Sequence, residues 1–140
     1  MFLKGMDRFR DLGLLVLRIG LGIMFIWHGY PKIVGGPHFW HQLGMAMGNL
    51  GVHGMPDFWG FMAAFAEFGG GIFLLAGFLT RPICAIMAFD MFVAMMMHFK
   101  MGQGLPVASH AIEDGIVFLS LILIGPGRFS VDQLFGGKGK

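Results

Sequence analysis

Four long apolar runs separated by short polar breaks dominate the chain: Leu12 to Tyr30, Phe58 to Leu79, Pro82 to Phe99 and Val107 to Gly125. Each approaches the ~20 residues that an α-helix needs to cross a hydrocarbon core. The pattern predicts an all-α protein, an integral membrane four-helix bundle. It forms one domain over residues 1–140, with spans near 12–30, 58–79, 82–99 and 107–125 and a short tail over 126–140. Thr80-Arg81-Pro82 makes a tight turn, with Pro82 placed to open the third helix. The one long connection, Pro31 to Asp57, repeats Phe39, Leu43, Met47 and Leu50 at helical spacing, which predicts a short interfacial helix over His38 to Leu50. The first run follows Lys4, Arg8 and Arg10 as a signal peptide would. Its apolar stretch is too long, however, and ends in Trp27-His28-Gly29-Tyr30 rather than a small-residue cleavage site, so it is read as an uncleaved span.

Composition explains why the spans need lipid. Of 140 residues 56% are hydrophobic and 13% charged, and mean hydropathy is +0.72. That is more apolar surface than a small soluble domain can bury, so the lipid bilayer is the first partner. The 24 glycines and 16 phenylalanines suit helices that approach closely through small residues. The net charge is +2, with basic residues at segment ends rather than in a phosphate-tracking patch, which argues against a nucleic-acid partner. A single cysteine, Cys84, excludes an intrachain disulfide and a dithiol mechanism, and it reads as a small buried hydrophobe.

Charge placement predicts orientation. Lys4, Arg8, Arg10, Arg81, Arg128, Lys138 and Lys140 fall on one side and only Lys32 and Lys100 on the other. The positive-inside rule then makes both termini cytoplasmic in a multi-pass protein of the cell inner membrane, with Trp27, Trp40 and Trp59 as outer anchors.

Ionisable groups inside the spans each cost about 2.5–3.5 kcal/mol on insertion scales and so require a partner or a purpose. They are Arg18, Glu67, Asp90, Glu113 and Asp114. Arg18, Gly22, Phe25, Gly29 and Lys32 share one helical stripe, and Gly60, Ala64, Glu67 and Gly71 share another, so both should face the interior. An Arg18 pair with Asp90 or Glu67 is expected, as a structural lock on helix register or as part of a site. Arg18 cannot fully neutralise both carboxylates, which marks Glu67 as a proton-handling candidate.

All six histidines fall on the outer side: His28, His38, His41, His53, His98 and His110. His110, Glu113 and Asp114 share one face of the fourth helix, and with His28 and His98 they are expected to line an outward-opening polar pocket. Bundles build metal sites from such groups, so His28, His98, His110 and Asp114 form a candidate metal set; a hydrogen-bonded polar cluster is the alternative. Haem between His28 and His98, and copper(I) at Met95, Met96, Met97 and Met101, are further options, the methionines reading first as pliable filling. No phosphate loop, nucleophile elbow or Ser/His/Asp order is present.

The order of these residues resembles the DoxX family of small four-helix membrane proteins. The resemblance runs from Leu17-Arg18-x-x-x-Gly22-x-x-Phe25-x-x-His28-Gly29-x-x-Lys32, through Glu67-x-x-Gly70-Gly71 and Gly77-x-x-Thr80-Arg81, to His98, Glu113 and Gly125-Pro126-Gly127-Arg128-x-Ser130-x-Asp132. The family is named for a subunit associated with a terminal quinol oxidase and includes relatives of the membrane part of thiosulfate:quinone oxidoreductase. The resemblance covers Arg18, His28, Lys32, Glu67, Arg81, His98 and Glu113, whereas Asp90, Asp114 and Met95 to Met97 stand outside its pattern.

Three functions remain in competition. The leading one is a redox-associated subunit that binds a quinone or similar small electron carrier. In it Glu67 or Glu113 is the proton carrier, and Arg18, His28, Lys32, His98 and His110 are ligand-binding groups. The second is a metal- or haem-binding membrane protein, and the third a non-catalytic scaffold for a partner complex. The chain carries no electron-transfer motif of its own, so a redox role calls for a bound cofactor or a redox partner subunit; self-association is open.

Overall fold

The computed structural model describes residues 4–136. A 3-10 turn, Lys4–Phe9, leads into α1 (Arg10–Val34). There follow α2 (Gly36–Gly44), a second 3-10 turn Met45–Leu50, α3 (Pro56–Ala76), α4 (Thr80–Lys100), α5 (Gly104–Ile124) and α6 (Val131–Gly136). No strand occurs among the described residues. The helices α1, α3, α4 and α5 are long and apolar enough to cross a membrane. Both described chain ends lie at one end of the bundle, where Asp11 accepts a hydrogen bond from the Arg128 amide at 3.1 Å. Of the basic residues behind the predicted orientation, Lys138, Lys140 and the Lys4 side chain lie outside what is described.

Glycine sets the contact between α1 and α3. A Cβ on Gly22 would lie 2.9 Å from the Gly71 carbonyl, and one on Gly71 2.8 Å from the Gly22 carbonyl. α1 and α3 therefore touch backbone to backbone, as membrane helices do where packing rather than hydrophobic exclusion drives association. At Gly29 a Cβ would run into the Phe68 amide, so this contact continues to the level of Glu67. The opposite pair, α4 and α5, meets α1 and α3 through bulk instead. Leu74, Met87, Phe118 and Leu121 are fully or almost fully buried, and the Phe25 and Phe118 rings meet edge to face at 5.0 Å. Cys84 is sealed in the same core.

The helix ends differ from the sequence expectation for local reasons. α1 continues through Pro31 to Val34. Its last turn is supported from outside, because the Trp40 indole donates to the Lys32 carbonyl at 2.9 Å. α3 stops at Ala76 in a Schellman motif: Gly77 at φ 67° donates to Leu74, Phe78 donates to Phe73, and the Phe73 and Phe78 rings stack. α4 begins two residues before Pro82, its first amides capped by the Asp132 carboxylate at 2.7 and 2.9 Å. In place of one helix over His38 to Leu50 there is α2 followed by a 3-10 turn. α2 packs on α3 so closely that a Cβ on Gly44 would meet the Pro56 carbonyl and one on Gly60 the Trp40 carbonyl.

Candidate functional site

Two charged centres lie inside the bundle, roughly 21 Å apart along α1 by helical rise from Arg18 to Lys32. The first is at the loop end. Lys32 Nζ pairs with Glu67 Oε1 at 2.5 Å. The close α1–α3 approach at Gly29 makes this possible, since Lys32 stands one turn further on the same face. Glu67 is only 7% exposed, and its Oε2 has no hydrogen-bond partner among the described residues.

Other helices add charge here. Asp90 of α4 is half-buried and has Glu67 and Lys32 as its charged neighbours. Asp114 of α5 is half-buried and has His110, Glu113, His28 and Glu67 around it. Each spanning helix thus supplies one ionisable side chain, giving one ammonium and three carboxyl groups.

Beside this cluster an apolar cavity of about 470 Å³ opens between α3, α4 and the α2 segment. Met47, Trp59, Ala66, Phe89 and Val93 are among its walls, and Asp90 is the one ionisable side chain lining it. The Trp59 indole already donates to the Gly54 carbonyl at 3.1 Å, so the cavity's free polar chemistry is the Asp90 carboxyl. A lipophilic molecule with a hydrogen-bonding head fits that lining.

The second centre is at the termini end, and it corrects the expected partner of Arg18. Arg18 pairs with neither Asp90 nor Glu67. It is fully buried and donates to the main-chain carbonyls of Leu74, at 3.4 Å, and Phe129. Its guanidinium packs where a side chain on Gly77 would otherwise stand, and Asp132 is its nearest carboxylate influence. The reason lies in side-chain direction: helical side chains lean toward the helix N-terminus, which carries Arg18 away from Glu67. Sealed in this way, Arg18 offers no surface to a ligand.

The remaining expected residues disperse. Glu113 is exposed, while its neighbour Asp114 turns toward the interior. His98 bonds Gln103 at 2.6 Å, His41 pairs with exposed Asp57 at 2.7 Å, and His38 contacts Gln42 at 3.3 Å. His28 and His110 are exposed on α1 and α5. None of His28, Lys32, His98 and His110 lines the apolar cavity. Among the described residues no three His, Cys, Asp or Glu side chains converge as metal ligands, so His28, His98, His110 and Asp114 are not gathered into one donor set. Met95 packs against the core, as pliable filling would. Sequence reasoning missed the Lys32–Glu67 pair and the cavity. The shared stripe of Gly29 and Lys32 was the available signal for the pair.

Comparison with known proteins places these features. The family model described as DoxX matches residues 13–100. The inner membrane protein YqjF of Escherichia coli K12 is 33% identical over 138 residues, covering 95% of this chain and 99% of the relative. An uncharacterized protein of Haemophilus influenzae is 29% identical over 142 residues, covering 97% and 100%. No solved structure matches.

Proposed function

The chain belongs to the DoxX family, and from that premise we propose that it is an inner-membrane subunit that binds a quinone or similar lipophilic electron carrier for a redox partner. The observation that carries the reading is the apolar cavity whose one ionisable wall residue, Asp90, adjoins the Lys32–Glu67 pair. A quinone head requires a hydrogen-bond donor at a ring carbonyl and two protons as it takes up two electrons, and its isoprenoid tail requires an apolar wall. Asp90 is placed to hydrogen-bond the carbonyl, and the Lys32–Glu67 pair beside it is placed to relay protons to the ring.

Charge balance supports this division of labour. One ammonium cannot offset three carboxylates where water is scarce, so the cluster of Lys32, Glu67, Asp90 and Asp114 shares protons. Lys32 positions Glu67, and Asp114 connects it toward His110 at the loop end. Electrons come from the partner, since the chain has no redox motif. The relative named an inner membrane protein supports the location, and the positive-inside pattern supports cytoplasmic termini.

Trp59 in the cavity wall supplies the test. Titration of the detergent-purified protein with a short-chain ubiquinone should quench tryptophan emission saturably. Ala66→Phe should abolish the saturable phase by filling the cavity, and Asp90→Leu, which removes the hydrogen-bonding group, should weaken it about tenfold, the value of one hydrogen bond. Absence of saturable quenching in the native protein, or full retention in Ala66→Phe, would overturn the reading.

A further inference from the structure

At the termini end, away from the cluster above, four chain segments enclose a second cavity of about 480 Å³. Arg10 comes from the start of α1, Arg81 from the start of α4 and Arg128 from the loop after α5. All three are exposed, and none forms an ion pair among the described residues. Two carboxylates share the wall, and both are occupied by backbone: Asp11 by the Arg128 amide, Asp132 by the amides of Leu79 and Thr80. Neither carboxylate lies within salt-bridge distance of a guanidinium among the described residues, and the three guanidiniums outnumber the two carboxylates.

Thr80 lies beneath the same wall, completely buried. Arg81 is deliberately placed. Gly125 adopts φ 84°, ψ −176°, a conformation essentially restricted to glycine, and a Cβ there would lie 3.5 Å from Arg81 Nη2. The loop thereby folds under Arg81 and holds it over the cavity between the ends of α4 and α5.

We propose that this cavity is a phosphate site that takes the headgroup of an anionic phospholipid, with Arg10, Arg81 and Arg128 around the phosphate. Guanidiniums recognise phosphate oxygens by charge-assisted, paired hydrogen bonds. The position supports lipid as the source: the cavity sits where the spans end, and exposed Leu79, Leu123 and Ile124 provide an apolar path for acyl chains. Basic clefts between spanning helices at this level are where anionic headgroups bind. The proposal is independent of the quinone reading.

The test uses the whole protein in lipid-free detergent, offered phosphatidylglycerol, phosphatidylcholine or inorganic phosphate, with unfolding temperature and lipid retention by native mass spectrometry as readouts. Phosphatidylglycerol should raise the unfolding temperature and be retained, phosphatidylcholine should do so weakly, and inorganic phosphate should give no shift. Arg81→Gln and Arg10→Gln should each weaken phosphatidylglycerol binding about tenfold, while Lys100→Gln at the other end leaves it unchanged. Should a variant fold poorly, the native protein still decides, because its response must fall as salt rises from 0.01 M to 1 M, roughly the range over which the Debye length shrinks from 30 to 3 Å. Equal responses to phosphatidylcholine and phosphatidylglycerol, an equal shift from inorganic phosphate, or a salt-independent response would each overturn the proposal.

Discussion

The two interior charge centres are built on opposite plans. At the termini end Arg18 is sealed, and main-chain carbonyls of Leu74 and Phe129 accept from it. At the loop end Lys32 pairs with Glu67, whose charged neighbours Asp90 and Asp114 come from the other two spanning helices, with carboxyl groups in excess, a Glu67 Oε2 unbonded among the described residues and an adjoining cavity. The first uses the two terminal nitrogens of its guanidinium to hold α1, the end of α3 and the tail together, with Nε unbonded among the described residues and sealed from any opening. The second keeps unused hydrogen-bonding capacity beside an opening. A buried charge is therefore no sign of function by itself; what distinguishes the two is whether its partners are backbone already fixed by the fold or ionisable side chains of other helices.

The sharpest way to break this comparison is at Arg18. Arg18→Met should lower stability by about 3–5 kcal/mol, the usual cost of removing one partner from a buried charged network. It should also free the tail, readable as new protease sensitivity after Gly125. Arg18→Lys should rescue little, because an ammonium lacks the planar fork that reaches two carbonyls at once. Unaltered stability in Arg18→Met would mean that the two centres do not differ as described.

Lys32 and Glu67 come next. Lys32→Met and Glu67→Gln should each cost about 1–3 kcal/mol, and the double variant less than the sum, since residues sharing one network couple by 0.5–3 kcal/mol. Chemical unfolding of the four proteins closes that cycle, and strict additivity would deny the pair any energetic role. Quinone binding should separate the centres further: Glu67→Gln weakens it, and a stable substitution near Arg18 leaves it alone.

Smaller effects sharpen the picture. Asp132→Ala removes the cap on α4 and should cost about 1 kcal/mol. Glu113→Gln should not destabilise the protein, because the side chain is exposed on a spanning helix where an ionised group costs about 2.5–3.5 kcal/mol, whereas Asp114→Asn should alter quinone binding. Thermal unfolding and tryptophan quenching of the two neighbours, measured together, test which face of α5 looks inward.

Much of the bundle was legible because a span announces itself by apolar length, which tertiary contacts do not alter. The boundaries moved where a cap came from far away: Asp132 starts α4 at Thr80, and the Trp40 indole supports the end of α1 beyond Pro31. Glu67 was legible on its small-residue stripe. The choice between Glu113 and Asp114 was not, since consecutive helical positions are about 100° apart and α5 is apolar almost all round.

The chain's own pattern of apolar runs, glycines and ionisable residues determined that there are four membrane helices, that the small-residue stripes of α1 and α3 face the interior, and that buried charge needs partners. Only the tertiary structure decided which partners. Arg18 reaches carbonyls 56 and 111 residues away, and Lys32 reaches Glu67 across a helix contact. Local periodicity specifies a helix face, because side-chain direction repeats with the backbone. It does not specify which face of which neighbour stands opposite, because that depends on how all four helices share the available contacts.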